Sequence, residues 1–469
     1  MRRPGVKQIN EFQVMQNVYG YLNIPTGSLV PGLKGETIIN GGVPLMSGFM
    51  GPGNSFKTAI MEGFEMTAAD HVMASIPDTI IMTLDTEQNK QIGRMQSLAS
   101  LYPNLYRDDL FDPETGNWIV SDIIDISGER WFEEIKEYFK ERDKHSRKRH
   151  RVPFNTPKGR EISTRIPNFI EIDSLSAFEV SSSGSMLSKN ELGSSDANMY
   201  FMRNGLVKTV FLKELLGLSR RYEAYSFFTT HFGKDSSIQS GPPGMQPAKK
   251  VQHMPAGTKA KGISDNAYYL ASHLWLVKKS VALASKANRN LPEYPYSPDD
   301  SNPDPNELNM VTMGMVRSKT GRSGFMLNIV VSQDYGIDHD MTNFMIVKEN
   351  GFGIHMGGKG LMKLDLYPEV SFSRKTIRQQ LREDTKLRRC MEITADLFML
   401  SWFHPTLNRN GLMKTPTELY NIIKKSYSWD TLLASRSWWT YDQYKYKIPF
   451  LSTVDLLKMA AEQYKPYWL

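Results

Sequence analysis

The stretch GPGNSFKT, residues 51–58, decides the fold that we expect. It fits the phosphate-binding pattern G-x-x-x-x-G-K-[ST] except at the glycine before the lysine, where this chain has Phe56. The apolar run LMSGFMG at 45–51 predicts a buried strand before the loop, and residues 57–73 space their apolar side chains as a helix does. A strand before the loop and a helix after it are the context that phosphate binding requires.

Strand and helix patterns continue to alternate beyond this loop. The predicted strands are DTIIMTLDTE (78–87), PNFIEIDSLSAF (167–178) and YSFFTTHFG (225–233), and the predicted helices are 128–145 and 205–224. This alternation predicts an α/β fold with a mostly parallel, twisted sheet flanked by helices. Two long stretches rich in Gly, Ser and Pro follow the third and fourth strands, at about 179–198 and 232–263, and their length favours functional loops or disorder.

Composition bounds the class of protein. The chain has 469 residues, 40% of them apolar, and a single cysteine, Cys390, which excludes an internal disulfide framework. It has no apolar leader near its start and no run of about 18 apolar residues, so we expect a cytoplasmic protein without a membrane span. Residues 371–469 contain 16 Lys and Arg against 9 Asp and Glu, which accounts for the whole net charge of +7. This basic region suits a polyanionic partner, with a solvated basic surface as an equal alternative.

The loop and the strand ends together suggest nucleotide chemistry. In loops of this type the lysine contacts the β- and γ-phosphates of ATP and the next hydroxyl holds Mg²⁺, roles that fall to Lys57 and Thr58. Asp173 fits a second carboxylate that supports the metal, and Glu87 either polarises an attacking water or caps a helix. The loop residues predicted to contact the nucleotide are Gly51, Pro52, Gly53, Asn54, Ser55, Phe56, Lys57, Thr58 and Ala59.

Over roughly residues 24–354 the chain resembles RecA-family recombinases, most closely the UvsX type of tailed bacteriophages. That type also has Ser-Phe-Lys in its loop, so the resemblance implies that Phe56 is a variant of a working loop. TLDTEQ (83–88) is similar to the family's strand whose glutamate activates water, here Glu87, and FIEIDSLSAF (169–178) to the strand with the metal-side carboxylate, here Asp173. FFTTHFG (227–233) resembles the strand whose last polar residue senses the γ-phosphate, here His231. Without the resemblance, a structural histidine is the alternative.

The resemblance extends to other contacts of the family. MGMVRSKTGRSGF (313–325) is similar to the strand and turn from which two cations reach a neighbouring subunit's ATP, here Arg317 and Lys319, with an exposed basic turn as the alternative. Arg94 stands where the family has an aromatic residue on adenine, so this contact would become cation–π stacking. The two long stretches fall where the family has its DNA-binding loops, which implies DNA contacts for their lysines: Lys189, Lys234, Lys249, Lys250, Lys259 and Lys261.

The resemblance also implies an organisation and an activity. Residues 1–23 form a short N-terminal segment available for subunit contact, 24–369 a RecA-like P-loop ATPase core, and 370–469 a basic, aromatic-rich, mainly helical C-terminal region. The implied function is a DNA-dependent ATPase that binds single-stranded DNA as an oligomer or filament and pairs it with homologous duplex DNA. A single-strand-binding protein and a loading mediator are implied partners, in an infected bacterial host. The alternatives are a DnaB-type ring helicase and a low-turnover recombination mediator. The basic run at 142–151 is assigned no role.

Overall fold

The computed structural model describes residues 12–122, 126–146, 148–178, 195–234, 251–261, 263, 265–300 and 303–469, with the backbone alone at 195–204, 234, 266 and 359. Its strands are β1 (Ser28–Pro31), β2 (Thr37–Asn40), β3 (Met46–Gly51), β4 (Ile81–Asp85), β5 (Trp118–Asp122), β6 (His150–Asn155), β7 (Glu161–Thr164), β8 (Asn168–Asp173), β9 (Ala224–Lys234), β10 (Thr258–Ala260), β11 (His273–Ala282), β12 (Leu308–Ser318), β13 (Met326–Ser332), β14 (Gly336–Ile337), β15 (Ile354–Met356), β16 (Met362–Leu364) and β17 (Tyr367–Phe372). Its α-helices are α1 (Gly20–Thr26), α2 (Lys57–Met73), α3 (Ile92–Ala99), α4 (Gly128–His145), α5 (Ser195–Tyr222), α6 (His339–Asn350), α7 (Ile377–Glu383), α8 (Thr385–Phe403), α9 (Pro405–Arg409), α10 (Pro416–Ile423), α11 (Trp429–Leu433) and α12 (Thr453–Ala460).

A large central sheet organises the fold. Its strand order is β14-β13-β12-β11-β3-β9-β8-β4-β5, and β10 pairs with the far end of β9. The six neighbours from β11 to β5 are parallel, whereas β10, β12, β13 and β14 are antiparallel to their partners. The prediction of an α/β fold with a mostly parallel sheet is therefore confirmed, and the predicted strands correspond to β3, β4, β8 and β9. The antiparallel extension formed by β12, β13 and β14 was not predicted.

Apolar layers cover both faces of this sheet. Phe49, Phe169 and Phe227 pack on one face together with α2. The next residue on each of those strands faces the other way and packs with α4 and α5: Met50, Ile170 and Phe228. Side chains alternate in this way along every strand. Because both faces are covered, β3, β4 and β8 are buried over their whole length.

The helices that flank the sheet follow the sequence patterns closely. The helices predicted at 57–73 and 128–145 coincide with α2 and α4, and the one predicted at 205–224 lies largely within the longer α5. The hydroxyl of Ser127 caps α4 by accepting from Arg130 N, which explains why this helix begins where it does. Among the described helices, none is long and apolar enough to cross a membrane.

The first described segment of the chain and its C-terminal region both pack into the core of the central sheet. Gln16 Nε2 donates to the hydroxyls of Tyr225 and Tyr441 at 2.9 Å each. Trp439 N donates to Asn17 Oδ1 at 2.9 Å, and α8 packs against α1 and α6. Buried contacts thus run across the predicted boundaries after residues 23 and 369. Those boundaries, and a subunit contact by residues 1–23, stay predictions.

His71 of α2 lies at this seam between the two ends of the chain. Its Nδ1 donates to the carbonyl oxygen of Asn17 at 3.0 Å, and its ring stacks on Trp438 with the centroids 4.2 Å apart. Burial lowers the pKa of His71 to about 3; the Asn17 carbonyl opposes this shift, and the Arg436 guanidinium adds to it. Folded His71 is therefore neutral at pH values where a histidine in the unfolded chain, with a pKa of about 6.5, takes up a proton.

The pH dependence of stability tests this seam. The stability that depends on a neutral His71 is complete above about pH 6.5 and is lost as the pH falls, because the unfolded state then binds a proton that the folded state excludes. Between pH 7 and pH 5 the loss is about 2 kcal/mol of the free energy of unfolding. We expect His71→Gln to remove this part of the pH dependence, measured by urea unfolding of the full chain at both pH values.

The parent protein is the matched control for this comparison. Burial raises the pKa of Asp396 and of Asp455 to about 7, and these groups favour folding as the pH falls. They are present in both proteins, so their effect cancels in the difference. An identical pH dependence in parent and variant would contradict a neutral folded His71.

Candidate functional site

Four of the predicted site residues meet at the carboxyl edge of the parallel strands. Gly51 at the end of β3 is directly opposite His231 of β9. Asp173 at the end of β8 is directly opposite Asp85 of β4, and Glu87 follows two residues later. In open α/β sheets, ligands bind outside this edge. The strand register therefore gathers these side chains, which lie far apart in sequence, around one cleft.

The loop between β3 and α2 has a left-handed backbone at the unusual residue. Phe56 has φ 62° and ψ 16°, and Asn54 has φ 53°. Glycine adopts this conformation freely, whereas a residue with a side chain loses about 1–2 kcal/mol. The Phe56 ring is partly buried against the main apolar core, which offsets some of that cost. The side chain of Ser55 closes the turn by donating to the carbonyl oxygen of Pro52 at 2.8 Å.

The end of this loop concentrates positive charge. No side chain caps the first turn of α2, so its N–H groups and the positive end of the helix dipole face the loop. Lys57 is only 6% exposed, and among the described residues it has no carboxylate partner. A buried ammonium group is normally paired. This arrangement suits an anionic ligand at residues 51–58.

Asp173 and Thr58 are in contact behind the loop. The hydroxyl of Thr58 donates to Asp173 Oδ1 at 3.3 Å, and the hydroxyl of Thr229 donates to the same oxygen. Asp173 is fully buried, and its Oδ2 accepts no hydrogen bond. The described part of the chain contains no group of three His, Cys, Asp or Glu side chains arranged for a metal. A cation here would complete its shell with waters and ligand oxygens, as Mg²⁺ commonly does.

Glu87 and His231 form a pair beside this contact. His231 Nε2 lies 3.0 Å from Glu87 Oε1, and Ser174 Oγ donates to the same oxygen at 2.5 Å. The side chains of His231 and Glu87 are 31% and 24% exposed, so water reaches both. Ser176 Oγ accepts from His231 N at 2.7 Å. The sequence analysis did not use Ser176, although serines at alternate positions after Asp173 were a readable signal.

The backbone of the segment that carries Glu87 is held by hydrogen bonds to Asp85. Asp85 Oδ1 accepts from Glu87 N at 3.1 Å, and Asp85 Oδ2 accepts from Lys90 N at 2.8 Å. The helix that follows, α3, begins after Gln91 and has no side-chain cap, so Glu87 does not cap it. Of the two interpretations of Glu87, the chemical one agrees with its position in the cleft.

Lys90 is a buried charge that the sequence analysis missed. Its side chain is 3% exposed and its Nζ lies 2.6 Å from Glu171 Oε1, with Glu62 also in contact. Burial lowers the pKa of Lys90, but the Glu171, Glu62 and Asp173 carboxylates outweigh burial and raise it well above its usual value. Its sequence position, three residues after Glu87, was the only signal available.

Arg317 and Lys319 lie away from the loop of their own chain. Arg317 is opposite Leu274 of β11, which is opposite Gly48 of β3, three residues before Gly51. This separates Arg317 from the loop by about 10 Å along the strands and by two strand spacings across them. The Arg317 guanidinium lies 4.9 Å from the Tyr269 ring centroid. Lys319 Nζ donates to the carbonyl oxygen of Leu270 at 2.9 Å. Burial lowers the pKa of Lys319, and the nearby Arg317 and Arg220 charges lower it further.

Arg94 is bound outside the cleft. Its Nη2 donates to the carbonyl oxygen of Gln333, at the turn between β13 and β14, at 2.7 Å. The side chain is otherwise exposed to solvent.

Two of the predicted DNA-contacting lysines lie next to His231. Lys259 is opposite Gly233 in the pairing of β10 with β9, and Lys261 N donates to the His231 carbonyl oxygen at 2.8 Å. Lys189, Lys249 and Lys250 lie outside the described residues, as do the side chain of Lys234 and most of the stretches 179–198 and 232–263.

Four cations of the basic run at 142–151 have partners in the protein. Arg142 donates to Asn168 Oδ1 at 2.8 Å, and Lys144 pairs with Glu141 at 2.7 Å. Arg149 and Arg151 pair with Glu223 and Glu161 at 3.3 and 2.7 Å. Much of this charge is therefore neutralised locally, in agreement with the absence of an assigned role.

Comparison of the sequence with models of known protein families gave no match, and no curated protein matched it. The interpretation of the site therefore depends on its geometry.

The backbone at Phe56 can be tested by two substitutions at that position. Phe56→Ala loses the packing of the ring and keeps the left-handed strain, whereas Phe56→Gly loses the packing and removes the strain. We expect Phe56→Gly to be more stable than Phe56→Ala by about 1 kcal/mol. Urea unfolding of the two variants measures this difference. At a position with negative φ, an alanine variant is normally more stable than a glycine variant. If Phe56→Ala is the more stable of the two, the left-handed conformation of Phe56 is contradicted.

Proposed function

We propose that this chain is an ATP-hydrolysing protein that assembles on single-stranded DNA and promotes its pairing with homologous duplex DNA, as RecA-family recombinases of the UvsX type do. The observation that supports this proposal most is the contact of Glu87 with His231, at the edge where the 51–58 loop leaves β3. Glu87 is the candidate for water activation, and His231 lies on β9, which leads into the long stretch at about 232–263. The contact therefore joins the two.

Residues 51–58 would hold the phosphates of ATP. The first turn of α2, which no side chain caps, and Lys57, which has no carboxylate partner among the described residues, supply the positive charge that a triphosphate needs. Thr58 and Asp173 would hold Mg²⁺, and both fit, since Asp173 Oδ1 already contacts the Thr58 hydroxyl, while Oδ2 lies 3.6 Å from Lys90 Nζ and accepts no hydrogen bond within the described residues. When bound, Mg²⁺ neutralises charge on the phosphate oxygens.

Glu87 would orient the attacking water and accept its proton. Ser174 and His231 both contact Oε1, so Oε2 faces solvent with the Asn89 amide 3.4 Å away. A carboxylate held on one oxygen and open on the other is suited to general-base catalysis. Asp85 fixes its backbone by accepting from Glu87 N, while the partly exposed carboxylate can turn toward water.

His231 would couple this chemistry to DNA. Its ring contacts Glu87, its N–H donates to Ser176, and its carbonyl oxygen accepts from Lys261 N. Ser176 precedes the first long stretch and Lys261 ends the second, so a shift of His231 reaches both. Lys259 and Lys261, with the lysines outside the described residues, would contact the phosphates of DNA.

Arg317 and Lys319 would act on the ATP of a neighbouring subunit. The strand register separates Arg317 from the 51–58 loop of its own chain, which favours an action on a neighbouring subunit. A head-to-tail contact between copies brings one edge of the sheet against the opposite edge of the next copy, and such contacts build rings or helical filaments. Cations supplied in this way stabilise the charge that develops during phosphoryl transfer.

The first test is electron microscopy with single-stranded DNA and a non-hydrolysable ATP analogue. We expect helical filaments for the parent and for Lys140→Ala, an exposed lysine on α4, and none for Lys57→Ala, which also loses DNA-stimulated ATP hydrolysis. Filaments of Lys57→Ala indistinguishable from the parent would contradict the assigned loop. Closed rings would favour the DnaB-type helicase. Nucleotide binding without ATP turnover would favour the recombination mediator.

The second test asks whether Arg317 acts between subunits. Glu87→Gln and Arg317→Ala should each abolish hydrolysis, for different reasons. In a random equal mixture, about one interface in four joins an intact Glu87 to an intact Arg317, so about a quarter of the parent's activity should return. ATP hydrolysis by the mixture measures this. A mixture as inactive as its components would contradict action in trans, as would an active Arg317→Ala.

A further inference from the structure

Lys90 joins three elements of the candidate site at one buried point. Its Nζ contacts Glu62 of α2, lies 2.6 Å from Glu171 Oε1 of β8, and lies 3.6 Å from Asp173 Oδ2 of the same strand. Lys90 itself belongs to the segment after β4 that carries Glu87. One cation is therefore shared by α2, which follows the 51–58 loop, by β8, which carries Asp173, and by the segment that carries Glu87.

The charges around Lys90 make this contact obligatory. Three carboxylates lie around the Lys90 ammonium group, those of Glu62, Glu171 and Asp173, and Glu65 is fully buried beside Glu171. Thr83 Oγ1 donates to Glu171 Oε2 at 2.7 Å, which fixes that carboxylate from the other side. Carboxylates buried together without a cation repel each other and lose their hydration. Lys90 thus holds α2 and β8 together where Glu62 faces Glu171.

The geometry also ties Lys90 to the reacting groups. Only Gln88 and Asn89 separate Lys90 from Glu87, and the backbone turns sharply at Gln88, with φ 56°. Asp85 accepts from both Glu87 N and Lys90 N, so these residues move as one unit. On Asp173, Lys90 lies by Oδ2 while Thr58 and Thr229 donate to Oδ1. Lys90 therefore lies at the Asp173 oxygen that the two hydroxyl groups leave open.

We propose that Lys90 is a positioning residue of the hydrolytic site, which holds Glu87 and Asp173 at a fixed distance from the helix that begins at Lys57. This inference rests on the proposed ATPase function. Lys90 touches neither nucleotide nor water; it acts through the two carboxylates. Its loss should reduce the turnover number and leave the affinity for nucleotide nearly unchanged, because the 51–58 loop and Lys57 do not depend on it.

The substitution must keep the buried charges balanced. Lys90→Met alone leaves Glu62, Glu171 and Asp173 without a cation and can prevent folding. The double variant Lys90→Met/Glu171→Gln removes one charge of each sign and keeps an oxygen that accepts from Thr83. Lys140→Met, at an exposed lysine of α4, is the control for the loss of a lysine.

We expect the double variant to bind a fluorescent ATP analogue within about threefold of the parent affinity and to lose at least about tenfold in kcat, with KM little changed. Hydrogen exchange in full-length protein should rise at 86–91, where Asp85 protects two amides, and stay unchanged in β9. The exchange experiment needs no activity.

The outcomes separate the two proposals. A folded double variant with parent-like kcat or parent-like exchange at 86–91 overturns the positioning role while the ATPase stands. Loss of nucleotide binding together with kcat also overturns it, since Lys90 would then support the whole site. A parent protein that neither binds nor hydrolyses ATP overturns the proposed function, and the inference about Lys90 fails with it.

Discussion

The parallel pairing of β4, β8, β9 and β3 is the constraint on which the candidate site depends. It sets Asp85 opposite Asp173 and Gly51 opposite His231, although these residues are far apart in sequence. Because side chains alternate along a strand, a slip of one residue in any pair would turn the Asp173 carboxylate away from Thr58. The chemistry at the edge is therefore only as well defined as the register of these four strands.

That register is held by large side chains on both faces of the sheet. Phe49, Phe169 and Phe227 lie in the layer against α2, and the residue after each packs in the layer against α4 and α5. Burial of side chains of this size stabilises by about 1.5–3 kcal/mol each, and a slip would expose them or exchange the two layers. Stability of this kind allows the edge itself to hold unfavourable features, such as the left-handed Phe56 and the buried Lys57.

The sequence predicts the parts of this structure that are local. Apolar periodicity predicts six of the elements: the strands β3, β4, β8 and β9 and the helices α2 and α4. In each of them most of the apolar side chains of the pattern are buried. The ends of those strands then indicated Glu87 and Asp173, whereas His231 was indicated by the family resemblance alone. The antiparallel extension was missed, since local patterns do not tell which strands pair or in which direction: β12 lies between β11 and β13 and is antiparallel to both. Lys90 was missed for the same reason: its partners Glu62 and Glu171 lie 28 and 81 residues away.

The site divides into a fixed layer and an adjustable one. Asp173 is fully buried and the Lys90 side chain is 3% exposed, whereas the side chains of Glu87 and His231 are 24% and 31% exposed. Groups tied by several buried charged contacts move only at a large free-energy cost, whereas an exposed pair reorients easily. A change at the Glu87 carboxylate therefore passes to His231 more easily than to Asp173. Since β9 carries His231 directly toward Lys261 and the second long stretch, the fold directs such a change toward the proposed DNA-binding side and away from the metal side.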